Sequence, residues 1–317
     1  MTEAQKTDRR EFLKKGLSLG LVAGGAFVLG KPDILLGKET VTEIPDLIAV
    51  KNGEPDAMFK KAISLMGGMG QFVKKGQIVV VKPNIGFPRK PEIGATTNPV
   101  LVRTIIEHCY AAGAKKVYVF DNVVMPTSSN ARNCYKLSGI EEAAGSAGAT
   151  VVPADDSHFK EVKIPGAKTL KTADVHELIL NSDVFINVPV LKHHSSTHLS
   201  IAMKNLMGIV NNRLEYHMRG LDQCIADFCL YRRPDLNIVD AYRVLMSHGP
   251  SGPHDESSLQ VELKKTLLMS RDIVAVDAAA TKIFGSDPED IKYIKLGYEQ
   301  KIGNMNLKEL KIVTYAM

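Results

Sequence analysis

Polar side chains able to do chemistry recur where apolar runs end. Ile78–Val81 runs into Lys82, Pro83 and Asn84, and Val117–Phe120 into Asp121 and Asn122. Val184–Val190 runs into Leu191, Lys192, His193 and His194, and Leu236–Val239 into Asp240. A single strand must leave a core through polar residues, so one such ending carries no information. Four that finish in Lys, Asp, Asn or His describe a ligand crevice, because open parallel sheets bind ligands beyond the carboxyl ends of their strands. Ammonium groups there would hold an anion, and imidazole and carboxylate groups would move protons. Lys82, Asn84 and Lys192 are therefore candidate substrate-binding residues. His194 and Asp240 are candidate acid–base groups.

A second signal lies in the segment Leu199–Val210, which is apolar almost all round and predicts a buried helix with Lys204 and Asn205 at its centre. A buried ammonium is costly unless paired, and burial lowers its pKa. Lys204 thus reads as an anion-binding or proton-transfer group, or as the cation of a structural ion pair with Asp222, Asp227 or Asp240. Asn205 beside it would orient a carboxylate or carbonyl. Asp277, within the apolar run Ile273–Ala280, repeats the pattern and joins the candidate binding residues. Asp272 before it suits a helix N-cap.

Six histidines fall between residues 193 and 254: His193, His194, His198, His217, His248 and His254. His194 and His198 would share a helical face, but Ser195, Ser196 and Thr197 read as a loop and cap, which removes that face. His194, His217 and Asp240 form a candidate divalent-metal set without a recognised ligand motif. The four cysteines contain no C-x-x-C pair, so no iron–sulfur cluster or zinc module is expected. No Gly-rich phosphate loop follows the first strand, and Gly67-Gly68-Met69-Gly70 reads as a helix ending.

The elements that must position these groups alternate. Short apolar runs at Leu47–Val50, Ile78–Val81, Val117–Phe120, Val184–Val188, Leu236–Val239, Thr266–Met269 and Ile312–Tyr315 predict strands. Helical periodicity lies between many of them, at Met58–Met66, Val100–Ala112, Ile140–Ala147, Leu221–Leu230, Ile273–Phe284 and Glu289–Leu296. The expected architecture is α/β, a mainly parallel central sheet with helices on both faces. Val151–Thr172 mixes short strand-like pieces with Pro153, Pro165 and Gly166, and reads as a small inserted strand region or a small antiparallel patch. No linker divides residues 44–317, which read as one domain.

The chain has 317 residues, 44% hydrophobic and 24% charged, enough for a substantial core. Its formal charge is +5; the first thirty residues hold five Lys/Arg against three Asp/Glu, leaving only +3 for the rest. That balance argues against a nucleic-acid partner. Arg9 and Arg10, followed by Phe12, Leu13, Lys14 and the uncharged run Gly16–Gly30, resemble a twin-arginine export signal over residues 1–30. Residues 31–43 read as a linker. The expected partner is the twin-arginine translocase, and the expected location is periplasmic or otherwise extracytoplasmic, with a membrane tether if the signal stays attached.

Five blocks together resemble the family called domain of unknown function 362. They are Val79–Asn84, Asn187–His194, Ala202–Gly208, Gly249–Gly252 and Asp272–Asp277. The most specific part is Lys192-His193-His194 followed by Lys204-Asn205-Leu206-Met207-Gly208. The resemblance implies a shared site built from Lys82, Asn84, Lys192, His194, Lys204, Asn205, Asp240 and Asp277, without supplying a reaction. Many relatives carry an appended ferredoxin-like cysteine cluster that this sequence lacks. Two functions fit these observations. One is an exported enzyme for a small anionic substrate, metal-assisted or not, with His194, Lys204 and Asp240 catalytic. The other is a non-catalytic maturation factor that holds a cofactor or metal for an exported redox partner.

Overall fold

The computed structural model describes residues 44–124, 127–154 and 156–317. The export-signal and linker assignments, Arg9 and Arg10 included, lie outside the described residues. The strands are β1 (Leu47–Lys51), β2 (Ile78–Pro83), β3 (Lys116–Asp121), β4 (Thr150–Pro153), β5 (Phe159–Lys163), β6 (Thr172–His176), β7 (Val184–Val188), β8 (Val190–His194), β9 (His198–Ser200), β10 (Leu236–Leu245), β11 (Val261–Ser270) and β12 (Ile312–Ala316). The α-helices are α1 (Pro55–Leu65), α2 (Pro99–Ala111), α3 (Ser128–Leu137), α4 (Ile140–Ser146), α5 (Glu177–Leu180), α6 (Ala202–Asn205), α7 (Arg213–Arg219), α8 (Leu221–Phe228), α9 (Ile273–Phe284) and α10 (Lys292–Glu299).

The fold is α/β, with a large, mostly parallel sheet at its centre. Among the described residues the main sheet has ten strands, in the order β12-β1-β11-β10-β7-β2-β3-β4, with β8 and β9 attached beside β10. β10, β7, β2, β3 and β4 run parallel, whereas β11 is antiparallel to both of its neighbours. From β2 the chain builds outward through β3 and β4, then returns as β7 on the other side of β2. The β2/β7 boundary is thus a topological switch point, where loops diverge and leave a crevice.

Alternate strand residues feed two apolar layers, as expected of strands buried on both faces. Val79, Val81, Val119 and Ile186 pack with α1, α2 and α4, while Val80, Phe120, Phe185 and Val239 pack with α6, α8, α9 and α10. The caps are local. The side chains of Asn98 and Asp272 accept hydrogen bonds from the first free N–H groups of α2 and α9.

Two expectations are corrected. Val151–Thr172 is not wholly an insertion, because β4 closes the parallel edge of the main sheet. The small antiparallel patch is the pair β5–β6. The long helix expected over Leu199–Val210 is instead β9, the single turn α6 and a 3-10 turn, Leu206–Ile209. Its all-round apolar character reflects burial from every side, which helical periodicity alone cannot distinguish from a broken segment.

Candidate functional site

A pocket of about 650 Å³ opens at the carboxyl ends of β2, β3 and β8, beside the switch point. Lys82 and Asn84 enter it from the end of β2, Asp121 and Asn122 from β3, and Lys192 and His194 from β8. Lys204 and Asn205 enter from α6 and Arg213 from the start of α7. The four polar strand endings read in the sequence do belong to parallel strands, and three of them meet here.

A hydrogen-bonded chain ties the floor together. Lys82 Nζ lies 2.8 Å from Asp121 Oδ1 and donates to Asn205 Oδ1 at 2.7 Å. Asn84 Nδ2 donates to the same oxygen at 3.0 Å, while Asn84 Oδ1 accepts from Lys192 Nζ at 3.2 Å. Lys192 Nζ also donates to the Ala95 carbonyl at 2.5 Å. On the other side, Asn205 Nδ2 donates to Asn187 Oδ1 at 2.8 Å, and Asn187 Nδ2 to Asn237 Oδ1 at 3.0 Å. Asn205 is thus the hub joining β2, β7 and β10 beneath the pocket. The other Asp121 oxygen accepts from the Ile85 N–H at 2.6 Å.

Gly208 is what lets this floor close. A Cβ there would stand 1.9 Å from Asp121 Oδ1 and 2.6 Å from Lys82 Nζ. The 3-10 turn Leu206–Ile209 therefore lies directly on the buried ion pair. The Gly208 carbonyl also accepts from the Asn122 N–H at 2.8 Å.

Electrostatically the pocket is cationic. Among the described residues its wall carries Lys82, Lys192, Lys204 and Arg213 against one carboxylate, Asp121. Burial pulls the Lys82 ammonium below its usual range, and the attraction of Asp121 opposes that shift. Burial brings Lys192 down to about 7, with Lys82 and Lys204 pushing the same way. Lys204 falls to about 8 for the same first reason, although the charge of Asp222 resists the change. Lys204 donates to Met207 Sδ at 3.4 Å, and no carboxylate among the described residues lies within ion-pair distance of it. The structural ion pair weighed for it is not formed. Asp227 instead accepts from the backbone N–H groups of Lys168, Thr169 and Leu170.

His194 is held neutral: burial first, then Lys204 and Lys192, lower its pKa to about 2. Its Nδ1 accepts from the Ser196 N–H at 3.0 Å, so the ring proton sits on Nε2. Such an imidazole can donate a hydrogen bond but is poorly placed to take up a proton.

The pocket wall includes Lys82, Asn84, Lys192, His194, Lys204, Asn205 and His217, but neither Asp240 nor Asp277. Both carboxylates are spent on backbone. Asp240 accepts from the N–H groups of Asn98 at 2.7 Å and Tyr242 at 3.0 Å, and burial lifts its pKa to about 6. Asp277 accepts from Ala202 N–H at 2.7 Å and Met203 N–H at 2.9 Å, and burial lifts it to about 8. It anchors the first turn of α6 and so positions Lys204 and Asn205. The metal set His194, His217 and Asp240 is not assembled. Among the described residues no three His, Cys, Asp or Glu side chains gather closely enough to share an ion. His194 and His198 face each other across the β8–β9 hairpin, with His198 Nε2 3.0 Å from Ser286 Oγ.

Arg213 and Asn187 were not legible as site residues. Arg213 follows two asparagines in a polar run with no periodic signal, yet it clamps the end of β3 by donating to the Asn122 and Val123 carbonyls. Asn187 sits within an apolar strand as a polar break in the run, and although it opens one of the family-like blocks it was not among the implied site residues.

A thylakoid-associated protein of Synechocystis sp. is 28% identical over 254 residues, covering 74% of this chain and 71% of that protein. Among solved structures, the lactate racemase apoprotein of Thermoanaerobacterium thermosaccharolyticum is similar over 80% of this chain at 13% identity, with a TM-score of 0.39. A protein of Thermotoga maritima is similar over 78% at 11% identity, with a TM-score of 0.46. This chain spans only 56% and 60% of the lengths of those two structures. No helix among the described residues is long and apolar enough to cross a membrane. The pattern of the domain of unknown function DUF362 matches residues 79–282, which include every residue of the pocket wall, and the chain belongs to that family.

Proposed function

We propose that this protein is an exported enzyme that binds a small anionic substrate in the pocket at the carboxyl edge of the sheet. The observation that carries the reading is the excess, among the described residues, of four cations over one carboxylate around a single pocket, with no described carboxylate within ion-pair distance of Lys204. An ammonium kept in so sheltered a place without a contacting carboxylate is arranged for a charge that arrives with the ligand.

In this scheme Lys204 is the principal anion ligand. Lys82, fixed by Asp121 and Asn205, contributes a preorganised positive field at no reorganisation cost. Lys192, with its pKa near 7, is the proton-transfer group, since a group titrating near working pH is efficient in both directions. His194 donates through Nε2 and stays neutral, so the acid–base role read for it in the sequence passes to Lys192. Asp240 and Asp277 become positioning residues. The Arg9-Arg10 motif and the thylakoid association of the Synechocystis relative support an extracytoplasmic location.

The test is titration of the purified full chain with inorganic phosphate and short carboxylates, read by calorimetry, alongside native mass spectrometry of protein from the exported fraction. The expected result is stoichiometric anion binding that Lys204→Met weakens at least about tenfold, the size of one lost charge-assisted contact. Anion affinity indifferent to Lys204→Met would overturn the reading. Turnover lost in Lys192→Met with anion affinity retained would support catalysis. Affinity and cellular function lost in step would instead identify a carrier.

A further inference from the structure

The charged groups of the pocket lie deep in it, and large apolar side chains lie exposed near its mouth. Its floor is ionic and sheltered, with Lys82 and Lys192 each 1% exposed and Lys204 7%. Its rim is open and mixed, with Ser195, Ser196, Asn212 and His217 exposed on it beside apolar groups. Phe87 and Pro250 are half-buried, Val124 is 38% exposed and Leu214 is 69% exposed, and all four line the mouth. Met218, one helical turn beyond Leu214 on α7, is 78% exposed and continues the same face outward.

Singly, an exposed Leu or Met means little. Here the exposed apolar residues flank the entrance to a cationic floor. A small hydrophilic anion would use the floor and leave the rim wet. The volume also exceeds what such an anion needs: about 650 Å³ has room for about twenty waters at the liquid's share per molecule. It falls in the range of pockets that enclose drug-sized organic molecules. The Lys192 ammonium stands 5.3 Å from the centroid of the Phe87 ring, which brings the charged floor against an apolar part of the rim.

We propose that the ligand is a free amphiphile: one carboxylate or phosphate that enters first and meets Lys204 and Lys192, joined to an aliphatic or aromatic body lying against Phe87, Val124, Leu214 and Pro250. This rests on the reading of the pocket as an anion site. It adds the claim that affinity and selectivity come from the rim. Selectivity among anions then follows the apolar body, because the floor recognises charge alone and the rim responds to each buried methylene.

The test is calorimetric titration of the full chain with inorganic phosphate and then ethyl, butyl, hexyl and octyl phosphate, with acetate through octanoate in parallel and phenyl phosphate as the aromatic member. All are kept below their micelle concentrations. Affinity should tighten about two- to fourfold per methylene until the rim is covered, fourfold being the limit for full burial. A Val124→Ser/Leu214→Ser double variant, altered only at exposed positions, should lower the ratio of octyl to ethyl phosphate affinity at least about fivefold. Lys204→Met should weaken every member by a similar factor. Phosphate binding with no gain along the series would overturn the amphiphile and leave the anion site standing. Failure of every member to bind would overturn the anion site itself. A chain-length gain indifferent to both variants would place the amphiphile elsewhere on the protein and overturn the proposal.

Discussion

Replacing Gly208 with alanine tests the architecture of the floor most directly. The added Cβ would lie 1.9 Å from Asp121 Oδ1, so the two must separate by at least about 1.1 Å to reach the 3.0 Å at which real Cβ contacts begin. Retreat in the other direction is blocked, since the Lys82 Cε and Nζ atoms would lie 2.6 Å from the same Cβ. Both partners of the ion pair are sheltered, with 1% and 3% of their side chains exposed. Stretching the 2.8 Å pair by that amount lowers its attraction from about 6 to about 4 kcal/mol at an effective dielectric of about 20. The neighbouring bonds, Ile85 N–H to Asp121 and Lys82 to Asn205, lose about 1 kcal/mol between them. Gly208→Ala should therefore destabilise the fold by about 3 kcal/mol and lower the melting temperature by roughly 6–12 °C. Phosphate affinity should fall with it, because Asn205 shares the displaced network. Differential scanning calorimetry gives the first quantity and titration the second. Gly145→Ala is the internal control. That glycine lies exposed in α4 with nothing within 4 Å of its added Cβ, so alanine should stabilise by up to about 1 kcal/mol. A Gly208→Ala protein that melts with the parent and binds phosphate equally well would show that the ion pair does not depend on this close approach.

Lys204→Met should stabilise the protein while weakening anion binding. Burial lowers the Lys204 pKa from 10.5 to about 8, so the charged form costs the folded state about 3 kcal/mol below pH 8. Because the folded pKa is depressed, the parent recovers that stability as pH rises from about 8 to 10.5. The variant's advantage in urea unfolding should shrink over the same interval, and an advantage equal at pH 7 and pH 10 would refute the assignment. Phosphate affinity of the parent should decline above pH 8, approaching tenfold per pH unit as Lys204 loses its proton; a flat profile from pH 7 to 10 would rule out the ammonium as ligand. Asp277→Ala should cost about 2–4 kcal/mol by stranding the Ala202 and Met203 N–H groups, and Asp277→Asn, which keeps an acceptor, about half as much. Equal losses in denaturant midpoint would mean that the carboxylate does more than anchor α6.

The seven strands read from apolar runs all form, and α9 spans the predicted Ile273–Phe284. The Asp272 cap was legible for the same reason. Each of these features depends on residues within a few positions of one another, and local periodicity records how much of each side chain its own element buries. The cationic character of the site was legible too, because lysines at strand ends keep their charge wherever the loops go. The sequence alone thus determined the α/β class, the Asp272 cap and most of the lysine, histidine and asparagine side chains around the pocket.

Only the tertiary structure decided what each polar group faces. Asp240 looks like a catalytic carboxylate and Asp277 like a binding one until the chain brings Asn98 and Ala202 against them, and their oxygens then go to backbone N–H groups 142 and 75 residues away. Lys204 looks like half of a salt bridge until Asp227 is found occupied by Lys168, Thr169 and Leu170. Arg213 and Gly208 acquire their roles only by proximity to the end of β3. The physical reason is the same in each case. A buried polar group must take whichever partner the fold places within about 3 Å, and that partner is chosen by the crossing of distant strands rather than by the residues beside it in the chain.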